Sequence, residues 1–186
     1  MGEPLDVLMV SQPVSYGVAV FVRQLTEAAV VAGHRVTVAC PGPDRGPLAG
    51  WVRDAGATHV TLNMAREPSP RDLLGLWSIR RLAKGRDVVH LHSSKAAALG
   101  RVAVATLGRR RPAVVFTPHY WSWLVGGKMA GLYRWIERRL ARRCDAIVAV
   151  SEREASEGRE VLGPLGHLTL IHNGVDRVRF SPDGVR

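Results

Sequence analysis

The chain has 186 residues, 46% of them hydrophobic and 23% charged, which is the composition of one globular domain able to bury a core without disulfides or metal ions. No apolar run approaches the roughly 18 residues of a membrane-spanning helix, and residues 1–4 lack the basic and then apolar layout of a signal peptide, so we expect a cytoplasmic protein. The formal net charge of +10 fits an anionic partner, namely a phosphate-bearing substrate, an acidic membrane or a nucleic acid, or simply solvated basic surfaces.

Short apolar segments alternate with longer amphipathic ones along the whole chain. Seven segments have the length and apolar content of strands: 5–10, 35–40, 58–62, 88–92, 113–118, 146–150 and 168–172. Helix-spaced apolar residues or helix-start signals mark the segments between most of them: 18–32, the segment after Ser69-Pro70-Arg71-Asp72, 95–107, 128–143 and 152–162. This rhythm predicts a doubly wound, parallel, Rossmann-like sheet in an α/β/α arrangement, which binds ligands at the carboxyl ends of its strands.

Two cysteines, Cys40 and Cys144, lie at the end of one predicted strand and just before another, without CxxC spacing. In a cytosolic domain this placement is typical of buried free thiols.

The loop after the first strand occupies the place where a dinucleotide-binding domain carries its phosphate-binding glycines. It contains Gly17 but no GxGxxG pattern, and the second strand ends at Cys40-Pro41 rather than at an acidic residue for the ribose. We therefore expect no NAD-type cofactor. Gly17 would still let the backbone approach an anion at the helix N-terminus, and a simple turn glycine is the alternative.

His90 and His92 are two residues apart on one strand and so point to the same face. A metal site would need further ligands, and the sequence places none beside them, so we expect no metal. We expect one histidine to be partly buried, with its hydrogen bonds made within the protein. We expect His92, at the carboxyl end of the strand, to face the cleft. Ser93 could cap the next helix or contact a ligand.

Residues 117–121 leave the fifth strand at the same edge of the sheet, with His119 beside Tyr120 and Trp121. Because Pro118 turns the chain out of the sheet, we expect His119 to project into the cleft. Aromatic walls around one polar head suit a sugar or an apolar acceptor, with a purely structural loop as the alternative.

Five segments in chain order resemble the N-terminal domain of GT-B glycosyltransferases of family 4, and the resemblance covers nearly the whole chain. They are the Gly17 loop with residues 33–36, and residues 87–93, 117–119, 148–151 and 173–176. The loop at 117–121 and the segment 133–138 look closest to members that build polysaccharides or glycosylate lipid-linked acceptors.

The resemblance implies a retaining transfer of a sugar from a nucleotide diphosphate-sugar to a polysaccharide, lipid-linked or small-molecule acceptor held mainly by this domain. It implies no protein nucleophile, no obligatory metal and no cofactor besides the donor substrate. His119 would contact the transferring sugar near its reactive carbon, and the Gly17 backbone would approach the donor diphosphate. The complete set of expected donor- and acceptor-binding residues is Tyr16, Gly17, His92, Ser93, Tyr120, Trp121, Ser151, Asn173 and Gly174.

Two departures from the family pattern matter. The family usually has paired glycines in the first loop, whereas this chain has Tyr16-Gly17, which narrows the backbone approach to a phosphate. We also expect the domain to occupy residues 1–175 and the interdomain linker to start at 176–186, with the donor-binding C-terminal domain outside this sequence. On that expectation the chain alone is inactive.

The sequence also allows other interpretations. The same fold could be a non-catalytic binding module or a partner-dependent subunit. Charge alone suggests nucleic-acid binding, but the aromatic residues are not interleaved with the arginines and no recognition motif is present, so we expect no nucleic-acid partner. The basic, amphipathic helix predicted at 128–143 could lie on the anionic inner face of a membrane, or it could pack on the core with its basic face in water.

Overall fold

The computed structural model describes residues 3–62, 64, 69–70 and 72–175. Seven strands form one sheet: β1 (Asp6–Ser11), β2 (Arg35–Cys40), β3 (Thr58–Thr61), β4 (Val88–His92), β5 (Ala113–Thr117), β6 (Ala146–Ala149) and β7 (Leu168–Leu170). Their order is β3-β2-β1-β4-β5-β6-β7 and every neighbouring pair is parallel. The predicted doubly wound parallel sheet is confirmed. Arg71, Asp176 and the linker expected at 176–186 lie outside the described residues.

Seven helices connect these strands within the described part of the chain: α1 (Tyr16–Val31), α2 (Leu48–Asp54), α3 (Asp72–Ala83), α4 (Ser94–Ala105), α5 (Ser122–Val125), α6 (Ala130–Ala141) and α7 (Glu152–Leu162). The predicted helix at 152–162 is confirmed residue for residue, and the bounds of the other predicted helices shift by a few residues. The helices α2 and α5 were not predicted, because seven and four residues are too few to show a helical period.

The start of α3 shows how local side chains fix a helix boundary. The carboxylate of Asp72 accepts a hydrogen bond from the backbone N–H of Ser69 at 2.9 Å, which is the reciprocal contact expected from the predicted capping box. Lys95 of α4 also pairs with Asp72 at 2.9 Å, so the same carboxylate links the two helices.

Alternating strand side chains build two cores, one on each face of the sheet. On one face Met9 and Val38 pack with Val22 of α1 and Leu48 of α2. On the other face the strands pack against helices that follow β3, and the cluster includes Leu8, Leu91, Ile79, Phe116 and Trp121. Each fully buried side chain of this size contributes roughly 1.5–3 kcal/mol relative to its exposed state, so these two layers fix the sheet that carries the site.

Cys40 and Cys144 are buried and unbridged, as expected. Burial raises the pKa of the Cys40 thiol to about 12 and that of Cys144 to about 11, so neither is a reactive thiolate near neutral pH.

The direction of chain connection reverses between β1 and β4, which are neighbours in the sheet. The loops that follow two such strands separate from each other and leave a crevice at the carboxyl edge. The strand register sets Ser11 beside His92, and His92 beside Thr117. The chain segments that follow β1, β4 and β5 are therefore neighbours at this crevice.

Candidate functional site

Backbone strain is concentrated at the crevice. Among the described residues, three that are not glycine have positive φ angles: Tyr16 at 62°, Ser93 at 74° and His119 at 61°. Each follows the carboxyl end of a central strand: β1, β4 and β5. A side chain in this region costs on the order of 1–2 kcal/mol, and such residues cluster where function requires an unusual geometry. These three strained residues identify the crevice as the candidate site.

The N-terminus of α1 is open to a ligand. Its N-cap residue, Ser15, makes no side-chain capping hydrogen bond, and the first turn contains no acidic residue. A Cβ atom added to Gly17 would meet no atom within 4 Å, and the φ of Gly17 is not positive. Among the described residues nothing therefore requires glycine at this position for turn geometry or packing. Uncapped N–H groups beside an open glycine are a favourable place for an anion.

Gly46, which the sequence analysis did not single out, packs closely against the loop that leads into α1. A Cβ atom on Gly46 would lie 2.6 Å from both the carbonyl oxygen of Val14 and the Oγ of Ser15. The N–H of Leu48 also donates to the Val14 carbonyl at 3.4 Å, and Ser11 Oγ donates to the Pro13 carbonyl at 2.8 Å. The entry to α1 is thus fixed by close backbone contact with the start of α2.

Three histidines, His90, His92 and His119, form a connected group that we call the histidine cluster. The Nδ1 of His92 lies 3.2 Å from the Nε2 of His119, and the two rings stack with centroids 5.5 Å apart. The His90 ring is 4.2 Å from that of His92, and its Nε2 lies 2.8 Å from Thr117 Oγ1. That His119 projects into the cleft stays a prediction: the residue is half-buried at this edge, and one of its ring nitrogens faces His92.

The expected position of His92 is corrected by the structure. Its side chain is 0% exposed, whereas His90 is the partly exposed histidine of the strand. The reason is that the loop after β5 folds back over the sheet edge, so that His119 covers His92. His92 supports the crevice from beneath and does not form its surface.

Phe21 of α1 connects this cluster to the anion-accessible helix. Its ring lies edge-on to His119 at 4.7 Å and to His92 at 5.8 Å. No motif marks Phe21 as functional, because it occupies an ordinary helix-spaced apolar position.

All three histidines are neutral near pH 7. Burial, with a smaller contribution from His119, lowers the pKa of His90 to about 3, and burial lowers the pKa of His119 to about 4. Burial and the two neighbouring histidines hold the pKa of His92 well below its usual value. Each ring therefore has one N–H donor and one unprotonated nitrogen that accepts. His119 can offer a ligand a neutral hydrogen bond but not a positive charge.

Two buried polar atoms at this edge have no hydrogen-bond partner among the described residues: His92 Nε2 and Ser93 Oγ. Ser93 makes no capping bond to α4, so helix capping does not account for it. A buried polar atom without a partner costs about 1–3 kcal/mol, which makes Ser93 Oγ a candidate to bind water or a ligand hydroxyl.

The structure separates the two aromatic residues that were expected to bind ligand. Tyr120 is 53% exposed and remains available, but Trp121 is 0% exposed. The Trp121 indole stacks on Trp123 at 4.5 Å and donates to the carbonyl oxygen of Glu154 at 2.8 Å. Trp121 belongs to the core beneath the loop, and the expectation that it forms a ligand-binding wall is wrong for this structure.

Ser151 serves as the N-cap of α7. Its Oγ accepts from the N–H of Glu154 at 3.2 Å, and the Glu154 carboxylate accepts from the Val150 N–H at 2.7 Å. Ser151 also borders a shallow surface pocket of about 150 Å³ together with His119, Tyr120 and other residues of α7. Ligand pockets typically measure about 300–1,000 Å³, so this pocket is one wall of a site at most.

Asn173 and Gly174 are exposed and follow β7 at the edge of the sheet. Three strand spacings, roughly 14 Å in total, separate β7 from β4. The structure thus brings Tyr16, Gly17, Ser93 and His119 to one crevice and leaves these two residues at a distance from it.

The basic helix α6 packs on the core with one face and exposes another. Tyr133 packs on the core, whereas Trp135 is 56% exposed with the guanidinium of Arg139 above its ring at 5.4 Å. Glu137 is buried and pairs with the buried Arg101 at 2.8 Å. No helix in the described ranges is long and apolar enough to cross a bilayer.

Within the part of the chain that the structure describes, no group of three or more histidine, cysteine, aspartate or glutamate side chains could hold a metal ion.

Known proteins are similar to this chain in sequence and in fold. One curated relative, a UDP-Gal:alpha-D-GlcNAc-diphosphoundecaprenol alpha-1,3-galactosyltransferase of Escherichia coli, is 28% identical over 146 residues, which cover 75% of this chain and 37% of the relative. An uncharacterized 41.2 kDa protein in the cps region of Klebsiella pneumoniae is 30% identical over 157 residues, which cover 81% of this chain and 41% of that protein. The chain spans about two fifths of the length of these relatives.

Among solved structures, a glycosyltransferase from Rickettsia africae ESF-5 matches 100% of this chain and 47% of its own with a TM-score of 0.73 at 20% identity. That likeness shows the fold. The sequence model of Glycosyltransferase Family 4 matches residues 16–179, which is most of the chain. The chain therefore belongs to glycosyltransferase family 4.

Proposed function

We propose that this domain is the acceptor-binding half of a retaining glycosyltransferase, which moves a sugar from a nucleotide diphosphate-sugar to a lipid-linked or polysaccharide acceptor. The observation that carries the proposal is the convergence of the open α1 N-terminus and the half-buried His119 at one crevice. Family membership supports the reaction class. The name of the Escherichia coli relative supports a lipid-linked diphosphate acceptor, since that protein acts on a diphosphoundecaprenol-linked sugar.

On this proposal the donor diphosphate lies at the N-terminus of α1. The uncapped N–H groups and the positive end of the helix dipole favour an anion there. Gly17 leaves room for the backbone approach, and the side chain of the neighbouring Tyr16 is exposed. Because this wall supplies only part of the contacts, a second, donor-binding domain completes the site.

The reaction needs no protein nucleophile. The bond between the anomeric carbon of the sugar and the diphosphate oxygen breaks, and a bond to the acceptor hydroxyl oxygen forms on the same face of the sugar ring. The departing diphosphate takes the proton of that hydroxyl. The neutral imidazole of His119 donates a hydrogen bond to a hydroxyl of the transferring sugar, and it acts on rate to the extent that this bond strengthens in the transition state.

The stereochemical outcome tests the proposal. The complete enzyme would be incubated with isotope-labelled nucleotide sugars and a diphospholipid-linked acceptor, and the anomeric configuration of the product would be read by NMR. Retention of the α-configuration of the donor is expected. An inverted product would refute the retaining mechanism, and absence of transfer from any nucleotide sugar would refute the function itself.

A further inference from the structure

The two ring nitrogens of His119 are not equivalent. The Nε2 of His119 lies 3.2 Å from the Nδ1 of the fully buried His92. Its Nδ1 makes no such contact with His92, and the ring is half-buried rather than enclosed. The nitrogen of His119 that remains for a ligand is therefore Nδ1.

One proton lies between the two neutral rings, and it can belong to either of them. If His92 Nδ1–H donates, the proton of His119 must sit on its own Nδ1, and His92 Nε2 is unprotonated. If His119 Nε2–H donates, His119 Nδ1 becomes an acceptor, and His92 carries its proton on Nε2.

The buried Nε2 of His92 distinguishes these arrangements, because it has no partner among the described residues. The second arrangement would bury an N–H donor without an acceptor, and the first would bury an acceptor without a donor. For backbone groups in folded proteins, an orphaned buried N–H is the rarer of the two defects. Applied to imidazole nitrogens, the same preference favours donation from His92 to His119.

We propose that His92 is a positioning residue, which donates its Nδ1–H to His119 Nε2 and thereby keeps the proton of His119 on Nδ1, where it serves as a donor to a hydroxyl of the bound sugar. The nature of the ligand rests on the proposed function, whereas the tautomer of His119 does not. Buried and covered by His119, His92 acts through that residue and touches no substrate.

The surroundings of His119 preserve this arrangement. Its backbone is held at a φ of 61°, and the edge of Phe21 lies against its ring at 4.7 Å. A half-turn of the ring about its Cβ–Cγ bond would put a carbon atom in the place of Nε2, which would break the contact with His92 and disturb the packing on Phe21. The ring orientation, which sets the nitrogen that faces His92, is thus fixed before any ligand binds.

Long-range nitrogen–proton NMR correlations on the chain labelled with ¹⁵N at histidine report which ring nitrogen carries the proton. At pH 7.5 we expect the Nδ1–H form for His119 in the wild type. In His92→Phe, which fills the space but cannot donate, we expect a shift to the Nε2–H form that imidazole prefers in water. His92→Asn places an N–H near the original Nδ1 and should restore the Nδ1–H form.

His59→Phe is the matched control, since His59 also has a buried Nε2 without a partner but lies on β3, beyond β2 and β1 from the cluster. It should leave the signals of His119 unchanged. An Nε2–H tautomer of His119 in the wild type would overturn the proposal without any variant. An Nδ1–H form that persists in folded His92→Phe would overturn it as well.

Transfer kinetics of the complete enzyme separate this proposal from the proposed function. His92→Phe should lower kcat roughly tenfold to hundredfold with little change in KM, the scale known for losing a supporting hydrogen bond to a metal-binding histidine, and His92→Asn should recover most of it. A confirmed tautomer with His119→Ala fully active would refute the catalytic role of His119 and leave the positioning intact. An impaired His119→Ala together with an Nε2–H tautomer of His119 would refute the positioning role of His92 alone.

Discussion

Replacing His119 by alanine removes its contacts with His92 and Phe21. The hydrogen bond to His92 is worth about 0.5–1.5 kcal/mol, and the edge-on contact with Phe21 contributes a similar amount. We therefore expect the free energy of unfolding to fall by about 1–3 kcal/mol. For a domain of this size each kcal/mol lowers Tm by roughly 2–4 °C.

The activity of the same variant is the more informative quantity. Loss of a positioned polar group typically lowers kcat on the order of a hundredfold or more. We expect that loss in the complete enzyme, assayed well below the Tm of the variant so that the protein is folded. His119→Gly is the matched variant, because it removes the same ring and also relieves the strain of a positive φ.

Comparison of the two variants separates stability from catalysis. His119→Gly should be more stable than His119→Ala by up to about 1 kcal/mol, and equally impaired in turnover. If both variants unfold at lower temperature but turn over at the wild-type rate when folded, His119 is a structural residue and the reasoning fails.

Three further predictions follow from other parts of the domain, and a fourth concerns its pH dependence. The chain alone should bind nucleotide sugars more weakly than micromolar by calorimetry, because one wall supplies only part of the contacts; micromolar affinity would contradict this. Glu137→Gln should destabilise the domain by about 3–5 kcal/mol in urea unfolding, since it leaves the buried Arg101 without its ion-pair partner. Glu157→Gln, which breaks a surface ion pair, should cost under 1 kcal/mol. Equal effects of the two substitutions would refute the distinction between the buried and the surface pair. If α6 contacts membranes, Trp135→Ala with Arg139→Glu should reduce sedimentation with anionic vesicles but not with neutral ones, and unchanged sedimentation would remove that role. Burial lowers the pKa values of the histidine cluster below 6.5, the value of a free imidazole. The neutral cluster therefore contributes its full stability above pH 6.5, and this stability is lost as the pH falls toward 4. A free energy of unfolding that stays constant over this pH window would be the contrary result.

The strands and the longer helices could be predicted because their apolar residues recur with a clear period. The strand at 35–40 and the helix at 152–162 agree with the structure to the residue. The helix α2 buries Leu48, Ala49 and Val52 within seven residues, and so short a segment shows no period. Its existence depends on packing against α1, which a single sequence does not reveal.

The site was predictable only at the level of strand ends. Thr117 ends β5, so the sequence could place His119 at the carboxyl edge. That the loop after β5 would fold back, bury His92 and draw Trp121 into the core depends on contacts between residues about 30 positions apart. The close contact of Gly46 with Val14 and Ser15 likewise joins residues that are far apart in the sequence.

The central claim is that the crevice between β1 and β4 is half of a glycosyl-transfer site. It is tested most directly by a crystal structure of the complete enzyme with an intact nucleotide sugar. We predict that a diphosphate oxygen lies within hydrogen-bonding distance, about 3.2 Å or less, of a backbone N–H in the first turn of α1, with His119 Nδ1 at the same distance from a sugar hydroxyl. A nucleotide sugar bound with neither the α1 N-terminus nor His119 in contact would contradict the account.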